Sequence, residues 1–268
     1  MAVAARQQEL FKQRGGERAG AGRPAKGRRA GSPHKKRPEL KGRFPVHVVL
    51  RVAADLGSLR KRHMYKALRE ATIAVARREL NYKESGAFRI VHVSIQQDHV
   101  HLLVEADHKT ALSRGMQSFQ ISAAKHMNRA VSVVGMVRGT REYARAMAKR
   151  RRGSVFPDRF HQEILETPKQ TRNALAYVLN NWRKHREDRG ALSSTWKVDP
   201  FSTGVFFDGW KERSDAVTYM PYRDSYDPLV VYLPKTWLLR EGWRRHGPIS
   251  WSFVPSSAQR KRGFGRTR

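Results

Sequence analysis

Residues 95–105, IQQDHVHLLVE, alternate between two kinds of side chain in the manner of a β-strand. Successive side chains of a strand point to opposite faces, so His99 and His101 share one face with Leu103 and Glu105, and the intervening aliphatic side chains share the other. Two residues of strand rise predict a spacing of about 7 Å between the imidazoles. We expect the aliphatic face to pack against helices and the histidine face to stay open. Two such imidazoles can converge on a divalent metal, although ordinary surface histidines give the same pattern.

The order of the periodic segments predicts an α+β fold. Apolar, β-branched runs predict strands at 44–52, 87–96, 99–105 and 159–167, with a tight turn at Gln97 and Asp98 between the second and third. Helical periodicity predicts helices at 58–80, 110–132 and 168–188, with Ser58 as the N-cap of the first and Pro168 in the first turn of the last. The order β-α-β-β-α-β-α predicts a ferredoxin-like antiparallel sheet, the split β-α-β arrangement also found in RRM domains, with an added C-terminal helix.

Composition divides the chain into three parts. Residues 1–43 are rich in Gly, Ala, Arg and Lys, which predicts a disordered basic tail. Within this tail, AGAGRPAKGRR resembles the core of an AT-hook, in which an arginine such as Arg23 enters a narrow minor groove. A generic basic tail is the favoured interpretation, because the core motif is short and degenerate. Residues 44–188 carry the predicted strands and helices. Residues 189–268 form a Trp- and Arg-rich extension, whose aromatic side chains suit either base stacking on single strands or packing of an irregular segment onto the domain.

The charge of the chain indicates a polyanionic partner. Lys and Arg total 54 against 23 Asp and Glu, a formal net charge of +31. Neutralisation of phosphates releases counterions and favours binding to nucleic acid of any sequence. No run approaches the length of a membrane span, so we expect no membrane partner and a cytoplasmic, nucleoid-associated protein. The absence of cysteine excludes disulfides, thiolate nucleophiles and Cys-ligated zinc.

The last predicted helix carries a second pair of side chains that could take part in metal binding or catalysis. Its apolar stripe consists of Ala174, Leu175, Val178, Leu179 and Trp182. Tyr177 and Asn181 lie off this stripe and are four residues apart, so they stack on one face of the helix. Asn181 can offer a carbonyl oxygen to a metal and Tyr177 a phenolic oxygen beside it. A surface tyrosine on a polar helix face is the plain alternative.

Three motifs taken in order resemble the single-tyrosine HUH transposases, and in particular the REP-associated tyrosine transposases. DHVHLLV resembles the histidine–hydrophobe–histidine strand of that family, VFPDRFHQEIL its following strand, and ALAYVLNNWRKH its nucleophile helix, where a metal-binding Gln or Asn follows the Tyr by four residues. The resemblance covers residues 44–188. A basic insertion at 137–154 and the string NNW, in place of an Asn-Pro pair, are departures from the pattern.

The resemblance implies a mechanism and a set of site residues. Tyr177 would be the nucleophile that forms a 5′-phosphotyrosine on single-stranded or hairpin DNA, and His99, His101 and Asn181 would hold Mg²⁺ or Mn²⁺. The nitrogen ligands suit Mn²⁺ better than Mg²⁺. The family includes dimers, which leaves open a homodimer in which Tyr177 acts in cis or in trans. The side chains expected to contact DNA are Arg23, Arg150, Arg151, Arg152 and Lys184.

Other functions remain as alternatives. A catalytically degenerate nucleic-acid-binding protein of the same fold would have the same net positive charge but would not cleave DNA. An RRM would carry a characteristic aromatic strand string, which is absent here, and a basic ribosomal or structural protein would leave the two histidines without a role. The remaining histidines are interpreted as structural or surface residues: His47, His63, His92, His126, His161 and His185.

Overall fold

A four-stranded antiparallel sheet forms the centre of the protein. The computed structural model describes residues 37–81, 86–189, 197–212 and 227–253, which belong to one unit beginning at Arg37. The strands are β1 (Val46–Arg51), β2 (Phe88–Ile95), β3 (His99–Ala106) and β4 (His161–Ile164), in the order β2-β3-β1-β4. The predicted α+β, ferredoxin-like sheet and the β2–β3 hairpin are confirmed. The last strand is shorter than the predicted 159–167, because it pairs with β1 over four residues only.

The helices follow the predicted order with different ends. They are α1 (Arg62–Asn81), α2 (Lys109–Ser132), α3 (Arg141–Ala148), α4 (Pro168–Leu179), α5 (Asn181–Lys184) and α6 (Trp237–Arg240). The prediction that Ser58 caps α1 is wrong. The Ser58 hydroxyl accepts a hydrogen bond from the Arg60 backbone N–H in a turn, and the helix starts at Arg62. No described helix is long and apolar enough to cross a membrane.

The first face of the sheet packs on α1 and α2, as the alternation predicts. Val100, Leu102 and Val104 of β3 are fully buried there. The packing begins before the predicted boundary at residue 44, because Leu40 is buried in the same core and Arg37 donates to the Gln162 side chain at 2.9 Å. Residues 37–43 therefore belong to the folded unit, while residues 1–36, including the AT-hook-like string, lie outside the described residues.

The second face, which carries His99 and His101, is not open as predicted. All of β3 is buried, and a second core forms between this face, α4 and the segments 197–212 and 227–253. The tryptophans of these segments favour the packing interpretation over base stacking. Trp210 and Trp243 are buried in the second core, and Trp237 is 46% exposed.

A buried carboxylate attaches the C-terminal segment to the sheet. Glu105 lies on the second face of β3 and is fully buried. It accepts hydrogen bonds from Arg89 Nε at 3.0 Å and from the backbone N–H groups of Lys235 and Thr236, at 2.8 and 2.7 Å. Thr236 directly precedes α6, so a strand residue fixes the start of that helix.

The C-terminal segment also holds α4 and α5 from outside. Arg172 of α4 donates to the carbonyls of residues 247 and 248 at 2.9 and 2.8 Å. Asn180 Nδ2 donates to the Ser250 carbonyl at 3.0 Å, and Arg183 Nε donates to the Trp251 carbonyl at 2.8 Å. Arg172, Asn180 and Arg183, which lie in α4, at the break and in α5, are thus all tied to residues 247–251.

Candidate metal and nucleophile site

The site lies on the second face of the sheet, where β1 and β3 meet α4 and α5. The α4 helix begins as predicted, with Pro168 in its first turn and a capping box between Thr167 and Gln170. It ends at Leu179, whereas the sequence predicted a helix to residue 188. Asn180 interrupts the helix with φ −107° and ψ 11°, and α5 restarts at Asn181. The break leaves Tyr177 on one helix and Asn181 on the next.

The structure brings the four predicted metal and nucleophile residues together. The His99 and His101 ring centroids are 4.8 Å apart with their planes at 80°, closer than the predicted 7 Å. Asn181 Nδ2 lies 2.8 Å from His101 Nε2. The Tyr177 ring meets the His101 ring edge-on at 5.3 Å between centroids. Tyr177 is half-buried and Asn181 is fully buried.

Two histidines interpreted as structural or surface residues also belong to the cluster. His47 of β1 is 8% exposed, and its Nε2 lies 3.0 Å from His101 Nδ1. The ring of His185, which follows α5, lies 5.3 Å from the His99 ring. A sequence signal for His47 existed, since alternation along VHVVLR places it on the face opposite the aliphatic residues 46, 48 and 50. His185 follows Asn181 by four residues, the same helical spacing that drew attention to Tyr177.

Local charges act on the rim of the cluster. His99 Nδ1 lies 2.6 Å from Asp98 Oδ1, and this hydrogen bond lowers the pKa of the Asp98 carboxyl. The pKa of His185 is lowered, first by burial and then by the charges of His99 and Lys184. The Lys184 ammonium lies 4.9 Å from the Tyr177 ring centroid, within the range of a cation–π contact.

The donor set fits a divalent cation that takes mixed nitrogen and oxygen ligands. Within the described ranges, no group of three or more His, Asp or Glu side chains is arranged to hold a metal. Asn181 Oδ1 is buried and accepts no hydrogen bond from any described residue. A buried polar atom without a partner is costly, and ligation of a cation would satisfy it. Two imidazoles and one amide oxygen suit Mn²⁺ better than Mg²⁺.

The basic residues predicted to contact DNA have different surroundings. Arg150 and Arg152 are exposed after α3. Arg151 makes intramolecular contacts, with its guanidinium 2.8 Å from Asp55 Oδ2 and 2.5 Å from Asn128 Oδ1. Lys184 lies beside Tyr177, as described above, and Arg23 lies outside the described residues.

Part of the chain matches a family model, and a solved structure is similar to the chain. Residues 44–146 match the model of a family described as IS200-like transposases. The match includes β1, the β2–β3 hairpin and both histidines of DHVH, and it ends before Tyr177 and Asn181. A solved structure of a REP-associated tyrosine transposase bound to a REP hairpin is similar, with 18% identity and a TM-score of 0.44 over 76% of this chain and 99% of the other. No curated protein matches the chain.

Proposed function

We propose that this chain, whose residues 44–146 match the family of IS200-like transposases, is a transposase of that kind and cuts and rejoins single-stranded DNA through a covalent bond to Tyr177. One observation carries the proposal. Tyr177, which lies beyond the family match, has its ring 5.3 Å from the ring of His101, which lies within it. A tyrosine beside an imidazole and an amide on a half-buried surface is an arrangement suited to phosphoryl transfer.

The proposed reaction uses one nucleophile, Tyr177, and releases one 3′-hydroxyl. The Tyr177 Oη–phosphorus bond forms while the bond from phosphorus to the 3′-oxygen breaks. The phenol gives up its proton and the departing 3′-oxygen takes one up, so the exchange is neutral overall. The 5′-phosphotyrosine keeps the energy of the phosphodiester, and attack by a 3′-hydroxyl rejoins a strand and restores the tyrosine. No nucleotide hydrolysis is required, consistent with a sequence that has no P-loop string.

His99, His101 and Asn181 would hold the divalent cation in this mechanism. A cation bound there supplies Lewis-acid polarisation of the scissile phosphate. Lys184 adds a positive charge over the ring of Tyr177, where the phosphate would enter. The half-buried position of Tyr177 limits the freedom of its ring, which favours a defined direction of attack.

The substrate would be single-stranded or hairpin DNA. Exposed Arg150 and Arg152 offer phosphate contacts outside the site, and the net charge of +31 favours any DNA. With this substrate, the protein would act on DNA of the nucleoid in the cytoplasm. A homodimer, with Tyr177 acting in cis or in trans, is compatible with the same chemistry.

The test is a search for the covalent adduct. Labelled, hairpin-forming single strands from the flanks of the gene are incubated with Mn²⁺ or Mg²⁺ and separated on a denaturing gel. We expect a protein–DNA adduct with the wild type and none with Tyr177→Phe. The matched control is Tyr143→Phe, because Tyr143 is also half-buried and its phenol accepts a hydrogen bond from Arg129 at 3.0 Å in α2, outside the cluster.

The outcomes separate the two main hypotheses. An adduct that persists in Tyr177→Phe would assign the nucleophile to another residue and overturn the proposal. DNA binding without an adduct for the wild type with either metal would instead favour the degenerate nucleic-acid-binding protein. Loss of the adduct in His101→Ala, with retained DNA binding, would link the imidazole to the chemical step.

A further inference from the structure

Both imidazoles of the DHVH strand have their Nδ1 atoms occupied by a neighbour. His99 Nδ1 lies 2.6 Å from Asp98 Oδ1, and His101 Nδ1 lies 3.0 Å from His47 Nε2. The Nδ1 atom of each ring is therefore held by a different side chain, one from the hairpin turn and one from the adjacent strand. Metal-binding histidines commonly donate their second ring N–H to such a partner, which fixes the tautomer and the ring orientation.

With the Asn181 amide oriented as in the structure, the contacts of His101 with Asn181 and His47 favour one arrangement of the protons. A neutral imidazole has one N–H donor and one acceptor nitrogen. Asn181 Nδ2, 2.8 Å from His101 Nε2, can only donate, so Nε2 is the acceptor. His101 then carries its proton on Nδ1 and donates it to His47 Nε2. Each of the three side chains in this chain of hydrogen bonds has a defined role.

We infer that His47 is a positioning residue that holds His101 in the Nδ1–H tautomer. The Nε2 lone pair, which accepts from Asn181 Nδ2 in this structure, would then bind a divalent cation when the Asn181 amide turns its Oδ1 to the same ion. The inference rests on the proposed function for the metal, while the tautomer itself is a property of the protein alone. Asp98 plays the corresponding part for His99. Neither His47 nor Asp98 ligates the cation in this arrangement.

The position of His47 suits a fixed acceptor. Its backbone is in the interior of the sheet, paired with Leu103 of β3 on one side and Glu163 of β4 on the other. Its ring is 8% exposed and lies at 19° to the His101 ring, with centroids 5.2 Å apart. The Tyr177 ring packs against its edge at 5.9 Å. With strands on both sides and a ring against its edge, His47 cannot easily withdraw from His101.

The first measurement is the affinity of the purified full chain for Mn²⁺, by titration calorimetry or by the EPR signal of free Mn²⁺. His47→Leu removes the acceptor, and we expect affinity to fall by about 10–100-fold. His47→Gln keeps a carbonyl acceptor and should recover most of the loss. The control is His92→Leu, which removes a different strand histidine whose Nδ1 lies 3.1 Å from Thr203 Oγ1, and it should bind Mn²⁺ as the wild type does. Thermal unfolding of each variant identifies any that fails to fold.

The second measurement reads the tautomer without metal. Long-range ¹H–¹⁵N spectra of the histidine rings distinguish Nδ1–H from Nε2–H, and His101→Gln identifies the signals of His101. We expect the Nδ1–H form in the wild type and an increase of the Nε2–H form in His47→Leu, because the Asn181 amide can then rotate and accept that proton.

Each result decides a different claim. A wild type with the Nε2–H form, or a folded His47→Leu with unchanged tautomer and unchanged Mn²⁺ affinity, overturns the inference. A wild type that binds no Mn²⁺ contradicts the proposed metal role instead, and the ring spectra still decide whether His47 sets the tautomer of His101.

Discussion

Replacement of Glu105 by Gln should detach the C-terminal segment from the sheet. The Glu105 carboxylate accepts four contacts from three donors: Arg89 Nε, the Thr236 N–H, and the Lys235 N–H, which both oxygens share. A glutamine has one acceptor oxygen, and its NH₂ group would face a donor. Arg89, with a side chain 9% exposed, would lose the carboxylate closest to it.

The expected loss of stability follows from two terms. A buried donor left without an acceptor costs about 1–3 kcal/mol. A buried ion pair with one partner removed costs about 3–5 kcal/mol. The terms overlap, and Asp107 at 3.9 Å from Arg89 offsets part of the second, so we expect about 3–5 kcal/mol in total. For a chain of this size, that corresponds to a fall in Tm of about 10 °C.

Differential scanning calorimetry and urea unfolding measure the effect, with Asp107→Asn as the matched control. Asp107 faces the same guanidinium, but its side chain is 51% exposed, so its loss should cost less than about 1 kcal/mol. Limited proteolysis of Glu105→Gln should also cut near residue 235 faster than in the wild type. If the two variants unfold at the same urea concentration, the buried carboxylate does not anchor the segment and the argument is wrong.

Three other variants test the surface and the rim of the site. Arg150→Gln with Arg152→Gln should reduce the slope of log affinity for single-stranded DNA against log salt by about 0.7 per lost phosphate contact, and an unchanged slope would remove both from the DNA surface. Arg151→Gln should instead lower Tm, because its guanidinium holds Asp55. Burial raises the pKa of Glu187 to about 7, with Arg60 opposing the shift, so the wild type loses stability as pH rises from about 4.5 through 7. Glu187→Gln should therefore gain about 1–3 kcal/mol relative to the wild type between pH 5 and pH 8 in urea unfolding, and a constant difference would contradict the shift.

The sequence was sufficient to predict the positions of site residues that depend on local periodicity. Alternation placed His99 and His101 on one face of β3, because side-chain direction depends on neighbours within a few residues. Helical spacing singled out Tyr177 and Asn181, and both meet His101 although a break separates their helices. The break at Asn180 carries no glycine or proline signal, so the predicted helix continued too far.

The sequence was insufficient where the site depends on contacts between distant residues. His47 meets His101 only because β1 and β3 pair in one register, with His47 opposite Leu103, and a lone histidine in a strand does not reveal that register. The covered second face was missed for a similar reason. The segments that carry Trp210 and Trp243 have no periodic pattern, and their burial becomes evident only once they lie against α4.

The ties between α4–α5 and residues 247–251 have a consequence during protein synthesis. The histidine strand and the tyrosine helix leave the ribosome well before the carbonyls that accept from Arg172, Asn180 and Arg183 have been made. At elongation rates of about 5–20 residues per second, the delay is on the order of several seconds. Throughout that interval the second core is incomplete, so a nascent chain would hold Tyr177 on a helix that lacks these ties. The cluster around Tyr177 would therefore be complete only after residues 247–251 have emerged from the ribosome.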